Sequence, residues 1–445
     1  MIGGVCRWIA AVVLLAGLCL GLGPVSITAA ELADELQELV DRALPGDTIQ
    51  LEPGIYEGPL TISKGIILKA ARAGTVTLLN RSQEPALKIE ASGVLVAGLH
   101  IIDEAVKESP SVLVTSGGVR LEGLLIRTGS DGIVMRNADE GEVSGTTIEW
   151  GAADVRMADK GNGIDLYNSH SVRLNGNAIR DVHDGIYLEN SDDTTVTGNR
   201  IERSRYGVHC MYTRGTLIRD NEGLLNVTGA MVMAVRDVEI STNTFMKQNE
   251  NVNSQGILLY DAHDTLVAGN TVEGNRVGLY VELSTGNRIE SNAISYNFIG
   301  IQLLESNDNR VSNNRFQGNV ADAQARSSAD NDLNGNYWDT FQGIDADGDG
   351  RSDIGYAINP FFQSLTGKRP AFQLFFQSPG MMFLEGLYQS ERQSWTTDRA
   401  PLMAPPHLAE HVGERGQSGS ATGLAGLLLL GGAGAMILMT RRRSI

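Results

Sequence analysis

Four residues with soft or borderline donor atoms occupy related positions in this chain. His209 and Met211 are followed 22 residues later by Met231 and Met233. On paired neighbouring strands such residues stand side by side, because adjacent strands lie about 4.8 Å apart and alternate residues on one strand about 6.6 Å apart. One imidazole and three thioethers converging on a point suit a soft ion such as Cu(I) and suit Ca2+ or Mg2+ poorly. The competing reading is that the methionines fill an apolar surface beneath a loop. Cys210 lies between the first two residues at a phase that points inward. It reads as a buried core thiol, with a ligand role as the alternative.

The spacing of 22 residues is a property of the whole chain. Gly163, Gly185, Gly207 and Gly229 recur at that interval, as do Gly256, Gly278 and Gly300. Asn177, Asn199, Asn221, Asn243, Asn270, Asn292 and Asn314 each follow one of these glycines by 14 residues. Counted from each glycine, positions +1 and +3 are apolar throughout (Ile186 and Leu188, Ile301 and Leu303), and so is +11 (Leu174, Val196, Ile289). Position +16 is apolar except at Gly223. Alternation within strands then turns +2 and +4 outward, where the His/Met set lies. A fixed short period with β-branched residues at set phases predicts an all-β solenoid: a right-handed parallel β-helix of about ten coils of about 22 residues. Asparagine at the same corner of every coil suits the turn.

Two insertions interrupt the period, nine residues between Thr146 and Gly163 and five between Asn243 and Gly256. Both fall at the corner before the +1 to +4 strand, so they flank the His/Met square. Trp150, Met157 and Met246 lie in them, which predicts a groove walled by soft side chains.

The rest of the chain reads as attachments. Residues 1–30 have the form of a secretory leader, with Arg7, an apolar run from Trp8 to Leu22 and small residues at Thr28-Ala29-Ala30. Residues 31–335 are assigned to the β-helix with a short amphipathic helix capping its first sheet edge. Residues 336–395 form a C-terminal extension and 396–420 a linker. Residues 421–445 form an anchor, an apolar run from Leu424 to Met439 closed by Arg441-Arg442-Arg443 on the cytoplasmic side. The body is therefore expected outside the cytoplasmic membrane. Acidic residues outnumber basic ones 53 to 36, a net charge of −17, which argues against nucleic-acid binding. Once the leader is removed Cys210 has no partner, so no disulfide contributes to stability.

Asp345, Asp347, Asp349 and Asp353, with the carbonyl of Arg351, have the spacing of a Ca2+ loop around Gly350, although Tyr356 stands where an EF-hand carries glutamate. The alternative is a plain acidic turn. Outward carboxylates at Asp165 and Glu189, one coil apart on a diagonal, offer a rival chemistry, a paired-carboxylate enzyme or binder acting on carbohydrate. A pure scaffold is a third possibility, and fold alone does not choose among these.

The tract Arg205-Tyr206-Gly207-Val208-His209-Cys210-Met211-Tyr212 resembles the NosD family. So do Gly229-Ala230-Met231-Val232-Met233, the block from Asn336-Tyr337-Trp338-Asp339 to Asp353, and Arg369-Pro370, Leu374-Phe375 and Ser378-Pro379. The resemblance covers most of residues 31–390 and implies an exported, non-catalytic β-helix protein needed to mature nitrous oxide reductase. In that family the protein sits on an ABC transporter with membrane and ATPase subunits, and takes part in passing copper from a membrane-bound chaperone to the reductase. On that reading His209, Met211, Met231 and Met233 carry Cu(I) as cargo, and Ca2+ is structural. Phe372, Phe375, Phe376, Met382 and Phe383 are more apolar than a free tail would be and are expected to dock on the transporter.

Overall fold

The computed structural model describes residues 29–248, 254–328, 330–375, 378–388 and 395–407. Most of the expected leader, the expected anchor and the end of the expected linker lie outside them. The chain winds as a right-handed parallel β-helix with three sheets, A, B and C, of 12, 13 and 12 strands. One turn supplies one strand to each: Tyr206–Met211 to sheet C, Leu217–Arg219 to sheet A and Glu222–Leu224 to sheet B.

There are about thirteen turns where the repeat predicts about ten. The last strand of sheet B, Tyr337–Trp338, adds one at the C-terminal end, and two lie at the N-terminal end, where Thr48 pairs with Ile67 and Ile67 with Leu95. Those steps are unequal in length, so a search for a 22-residue beat passes over them. From Arg120 onward the ladder settles into the regular spacing, with Arg120 opposite Glu142.

The phase assignment holds in the packing. Leu174, Val196, Ile218, Ile240, Val267, Ile289 and Val311 stack as one buried column in sheet A, while Ile186, Val208, Ala230, Ile257 and Leu279 do so in sheet C. The glycine ladder exists because the backbone of the next turn closes over it. A Cβ on Gly185 would stand 2.3 Å from Ile201 Cγ2 and 2.7 Å from the Gly207 carbonyl oxygen. The exception at +16 has the same origin, since a Cβ on Gly223 would meet the Phe245 ring of the following turn at 2.7 Å. The side chain missing from one turn is the space its neighbour fills.

The asparagines form a buried ladder. Asn199 donates its backbone N–H and its side-chain Nδ2 to Asn221 Oδ1, both at 2.9 Å, and Nδ2 also donates to the Leu174 carbonyl at 3.0 Å. The same bonds link Asn177 through to Asn336. Two further ladders, Asn275 to Asn297 to Asn319 and Asn287 to Asn309 to Asn331, hold other corners.

Both ends of the sheet stack are covered. Helix α1 (Ala29–Arg42) buries Leu36 and Val40, and the Gln37 amide completes a rung of its own. Its Oε1 accepts from Thr61 N–H at 2.9 Å and its Nε2 donates to the Thr61 carbonyl at 3.0 Å, so the first edge strand finds both partners. At the other end Trp338 stacks on Phe316 with ring centroids 4.2 Å apart. Residues 395–403 belong to this cap and not to a linker: Thr397–Asp398 pairs antiparallel with Tyr356–Ala357. Asp398 is fully buried and accepts from the backbone N–H of Gly335, Asn336 and Ala400 and from Trp338 Nε1, at 2.9–3.0 Å. A polar, proline-bearing sequence hides that single carboxylate well. Two helices complete the extension, α2 (Phe361–Lys368) and α3 (Pro379–Leu387).

Replacing Asn221 with alanine strands the two buried donors of Asn199, each costing about 1–3 kcal/mol. The variant should lose about 3 kcal/mol of stability by urea denaturation. Arg120→Ala, at an exposed position of the same sheet, should change it by less than about 0.5 kcal/mol.

Candidate functional site

Strand register brings the four sequence-selected residues together. His209 pairs with Met231 and Met211 with Met233, with Tyr187 and Glu189 in the turn before and Leu258 and Tyr260 in the turn after. The square is in place, but it is less open than an outward phase suggests. The three methionines are half-buried and His209 is only 7% exposed. The cause is aromatic bulk on neighbouring outward positions: the Tyr187 and Tyr206 rings each lie 4.9 Å from the imidazole, the second edge-on.

The residues that orient the imidazole escaped the sequence reading. Asp184 is buried and receives Arg205 through Nε at 2.8 Å and Nη2 at 2.6 Å, and His209 Nδ1 donates to the same carboxylate at 2.9 Å. Burial works against the charged form of Asp184, but the bonds from Arg205 and His209 prevail and hold its carboxyl below the usual range. An ionised carboxylate only accepts, so Nδ1 carries the hydrogen, and Nε2 is the nitrogen left to offer a lone pair. That Nε2 is buried and has no hydrogen-bond partner. A carboxylate fixing one imidazole nitrogen and leaving the other unsatisfied is the outer-shell arrangement of metal-binding histidines. Arg205 lies 4.3 Å over the Tyr206 ring, which completes the frame. One signal pointed to Asp184: it is the single charged residue immediately before a ladder glycine, where other coils carry Asn162, Tyr206, Thr228, Gln255, Val277 and Ile299.

The first insertion reaches the site through backbone contacts. Asn162 Oδ1 accepts from Asp184 N–H at 3.2 Å, and the Gly161 carbonyl accepts from His183 N–H at 2.8 Å. Trp150 and Met157 are half-buried, and Met246 lies in a strand of sheet B. Residues 249–253 of the second insertion lie outside the described residues, so one expected wall of the groove is not defined. Cys210 points into the core, fully buried, its thiol pushed up to about 12 by desolvation.

The other sequence-selected residues fare differently. Oxygens of Asp345, Asp347 and Asp349 lie within 4.8 Å of one another, whereas an oxygen of Asp353 accepts from the Ala346 N–H. Backbone N–H groups of Gly348, Asp349 and Gly350 donate to Asp345 and hold its carboxyl low. Arg351 bridges to Leu402, which ties this loop to the C-terminal cap. Of the apolar set, Phe372 is half-buried, Phe375, Met382 and Phe383 are 54%, 59% and 66% exposed, and Phe376 lies outside the described residues. Asp165, the rival catalytic candidate, is committed to Arg136 at 2.5 Å and Asn162 Nδ2 at 2.9 Å, and Glu189 accepts from the Tyr187 hydroxyl at 2.8 Å.

A closed β-helix with a polar-framed cluster of soft donors on one face belongs to a broad class of solenoids, and solved structures reflect that breadth. The exopolygalacturonase of Yersinia enterocolitica superposes with a TM-score of 0.53 at 12% identity, over 68% of this chain and 75% of its own. Alginate lyase AlyF-OU02 gives 0.52 at 12% identity, over 67% and 82%, and the Dettilon tailspike protein 0.50 at 14%, over 68% and 66%. At such identity these likenesses establish the fold alone. No curated protein matches this chain in sequence. Residues 144–343 match the profile of the family described as periplasmic copper-binding protein (NosD), and that stretch contains the entire His/Met square together with Asp184 and Arg205. That match supports assigning residues 144–343 to the NosD family.

Because the Cys210 thiol is both shielded and protonated at neutral pH, iodoacetamide should leave it unmodified over hours in the native protein and alkylate it within minutes in denaturant. Native labelling at a comparable rate, read by mass spectrometry, would place the thiol at the surface and return it to the list of ligands.

Proposed function

We propose that this protein is an extracytoplasmic, non-catalytic accessory that receives Cu(I) and passes it on during maturation of nitrous oxide reductase, in concert with an ABC transporter and a copper chaperone. The observation that carries the reading is the buried, unpartnered Nε2 of His209 beside three thioethers, since an orphaned polar atom is costly in a folded protein unless something is meant to meet it. The family's description as periplasmic and copper-binding supports the cargo and the location.

The chemistry follows from the donor set. Thioethers bind Cu(I) without competition from protons, in contrast to thiolates, and their flexible stems let an ion enter and leave by stepwise exchange. The half-buried methionines are the first donors an ion meets, and the imidazole, sealed by the two tyrosines, adds a stronger bond once the thioethers move aside. The exposed apolar face of α3 is the docking surface we assign to the transporter, and residues 421–445, outside the described residues, are assigned to a membrane anchor. Among the described residues no helix is long and apolar enough to cross a membrane. The carbohydrate reading is weaker, because Asp165 is tied up in an ion pair and is not free to act as an acid or base.

Replacing Met231 and Met233 together with leucine conserves volume and removes sulfur. The double variant should melt as the parent does, bind Cu(I) at least tenfold more weakly in a competition titration, and leave the reductase copper-poor in cells. Parental affinity and a fully metallated reductase would together remove this site from consideration.

We also assign a structural Ca2+ to the loop of Asp345, Asp347 and Asp349, where it would neutralise clustered carboxylates that the fold already brings within reach. Because the loop is bridged to Leu402, adding chelator to Ca2+-loaded protein should lower the melting temperature by several degrees and expose residues 395–407 to protease, while Cu(I) affinity stays constant. No change in either stability readout would reduce the loop to an acidic turn.

A further inference from the structure

A cavity of about 340 Å3 lies between the last complete turn of the β-helix and the C-terminal extension. The β-helix contributes Asp322, helix α2 contributes Gln363, helix α3 contributes Met381 and Glu385, and Thr340 and Tyr356 complete the lining. The polar groups here are oddly one-sided. Asp322 is 2% exposed and accepts from the hydroxyl and the backbone N–H of Thr340, with a long contact of 3.4 Å from Asn319 Nδ2, all of them neutral donors. The Glu385 carboxylate has no hydrogen bond or ion pair among the described residues, and Gln363, 7% exposed, has its Oε1 buried without a donor. Among the described residues no lysine, arginine or histidine lines the cavity. Burial pushes the Asp322 carboxyl up to about 6 and raises that of Glu385, the response of acids enclosed without a counter-charge.

We propose that this cavity binds an organic cation, an ammonium or guanidinium group carried on a short apolar stem. Two carboxylates and an orphaned amide oxygen supply acceptors for its N–H groups, while the Tyr356 ring and the Met381 thioether pack against the stem. A bare metal ion fits less well. The space is in the range of small-molecule pockets, and among the described residues only Asp345, Asp347 and Asp349 form a carboxylate cluster close enough to share an ion. The cation can come from a free amine or from a lysine or arginine side chain of a protein partner, and the recognition chemistry is the same for both. This site is separate from the His/Met square and does not depend on its copper chemistry.

The test is calorimetric titration of the purified full-length protein at neutral pH with putrescine, agmatine, N-acetyl-lysine methylamide and N-acetyl-arginine methylamide, with butane-1,4-diol as the uncharged control. At least one cation should bind saturably at one site and the diol should not. Preference for the free amines assigns the cavity to a small molecule, and preference for the capped residues assigns it to a basic side chain of a partner. Glu385→Gln and, separately, Gln363→Met should each weaken binding about tenfold or more with an unchanged melting profile. Glu385 is half-exposed, so its variant is expected to fold even if the buried Gln363 variant does not. Absence of saturable binding by all four cations, binding of the diol as tight as theirs, or parental affinity in Glu385→Gln would overturn the assignment.

Discussion

The buried asparagine ladder is the constraint on which the rest of this molecule rests. A strand-only turn would leave corner amides facing the interior with no partner, and each such group costs about as much as a lost hydrogen bond. Here each side chain in turn accepts from the backbone and side chain of the asparagine before it and donates onward to a carbonyl one turn below, so the corner is satisfied internally from Asn177 to Asn336. A one-residue slip of any strand would break two amide bonds at once and turn its buried column outward. The ladder therefore fixes the register, and register is what sets His209 beside Met231 and Met211 beside Met233.

How much of this was legible depended on whether a feature recurs along the chain. The Gly/Asn beat and the inward phases are repeated seven times over, so composition noise cannot hide them. They gave the three-sheet core, the placement of Cys210 inside it and the adjacency of the His/Met residues. The first turns were missed because their lengths vary, and the ladders through Asn297 and Asn309 were present in the sequence but masked by the stronger one. What does not recur was not readable. Asp184 and His209 are 25 residues apart and meet only because one precedes a glycine and the other follows one; the burial of His209 depends on two tyrosine rings whose size, not phase, closes the site. Asp398 is the same lesson at the terminus, where one carboxylate in a polar stretch takes four N–H donors and converts an apparent linker into a cap.

The capping devices explain why a solenoid of this length is a defined object. A β-helix has no closed barrel to remove its edges, and an open edge recruits further strands. Gln37 answers the first edge with an amide that imitates a strand, and the Phe316 to Trp338 stack, sealed by Asp398, answers the last. Between these ends every strand of the sheet C face is paired to its neighbours in fixed register. Adaptability is confined to side chains, and methionine is the most adaptable apolar side chain available. A site that must release what it holds gains from that division, with fixed positions and mobile donors.

Electrostatics then favours a particular charge for the guest. The Asp184 carboxylate that orients His209 is already neutralised by the bidentate Arg205, so it contributes little net negative charge to the His/Met site. Glu189, opposite Met211 on the neighbouring turn, accepts from the Tyr187 hydroxyl, a neutral donor that leaves its charge in place. An ion entering among half-buried thioethers and tyrosine rings must give up water, and the desolvation cost rises with the square of its charge, so a monovalent ion pays about a quarter of what a divalent one does. In the proposed copper role, softness would favour copper over alkali ions and the lower desolvation cost would favour Cu(I) over divalent competitors, both through residues within two turns of one another. Removing Arg205 would upset that balance without touching a single donor atom, because Asp184 would then offer its charge to the site and make divalent ions less unwelcome.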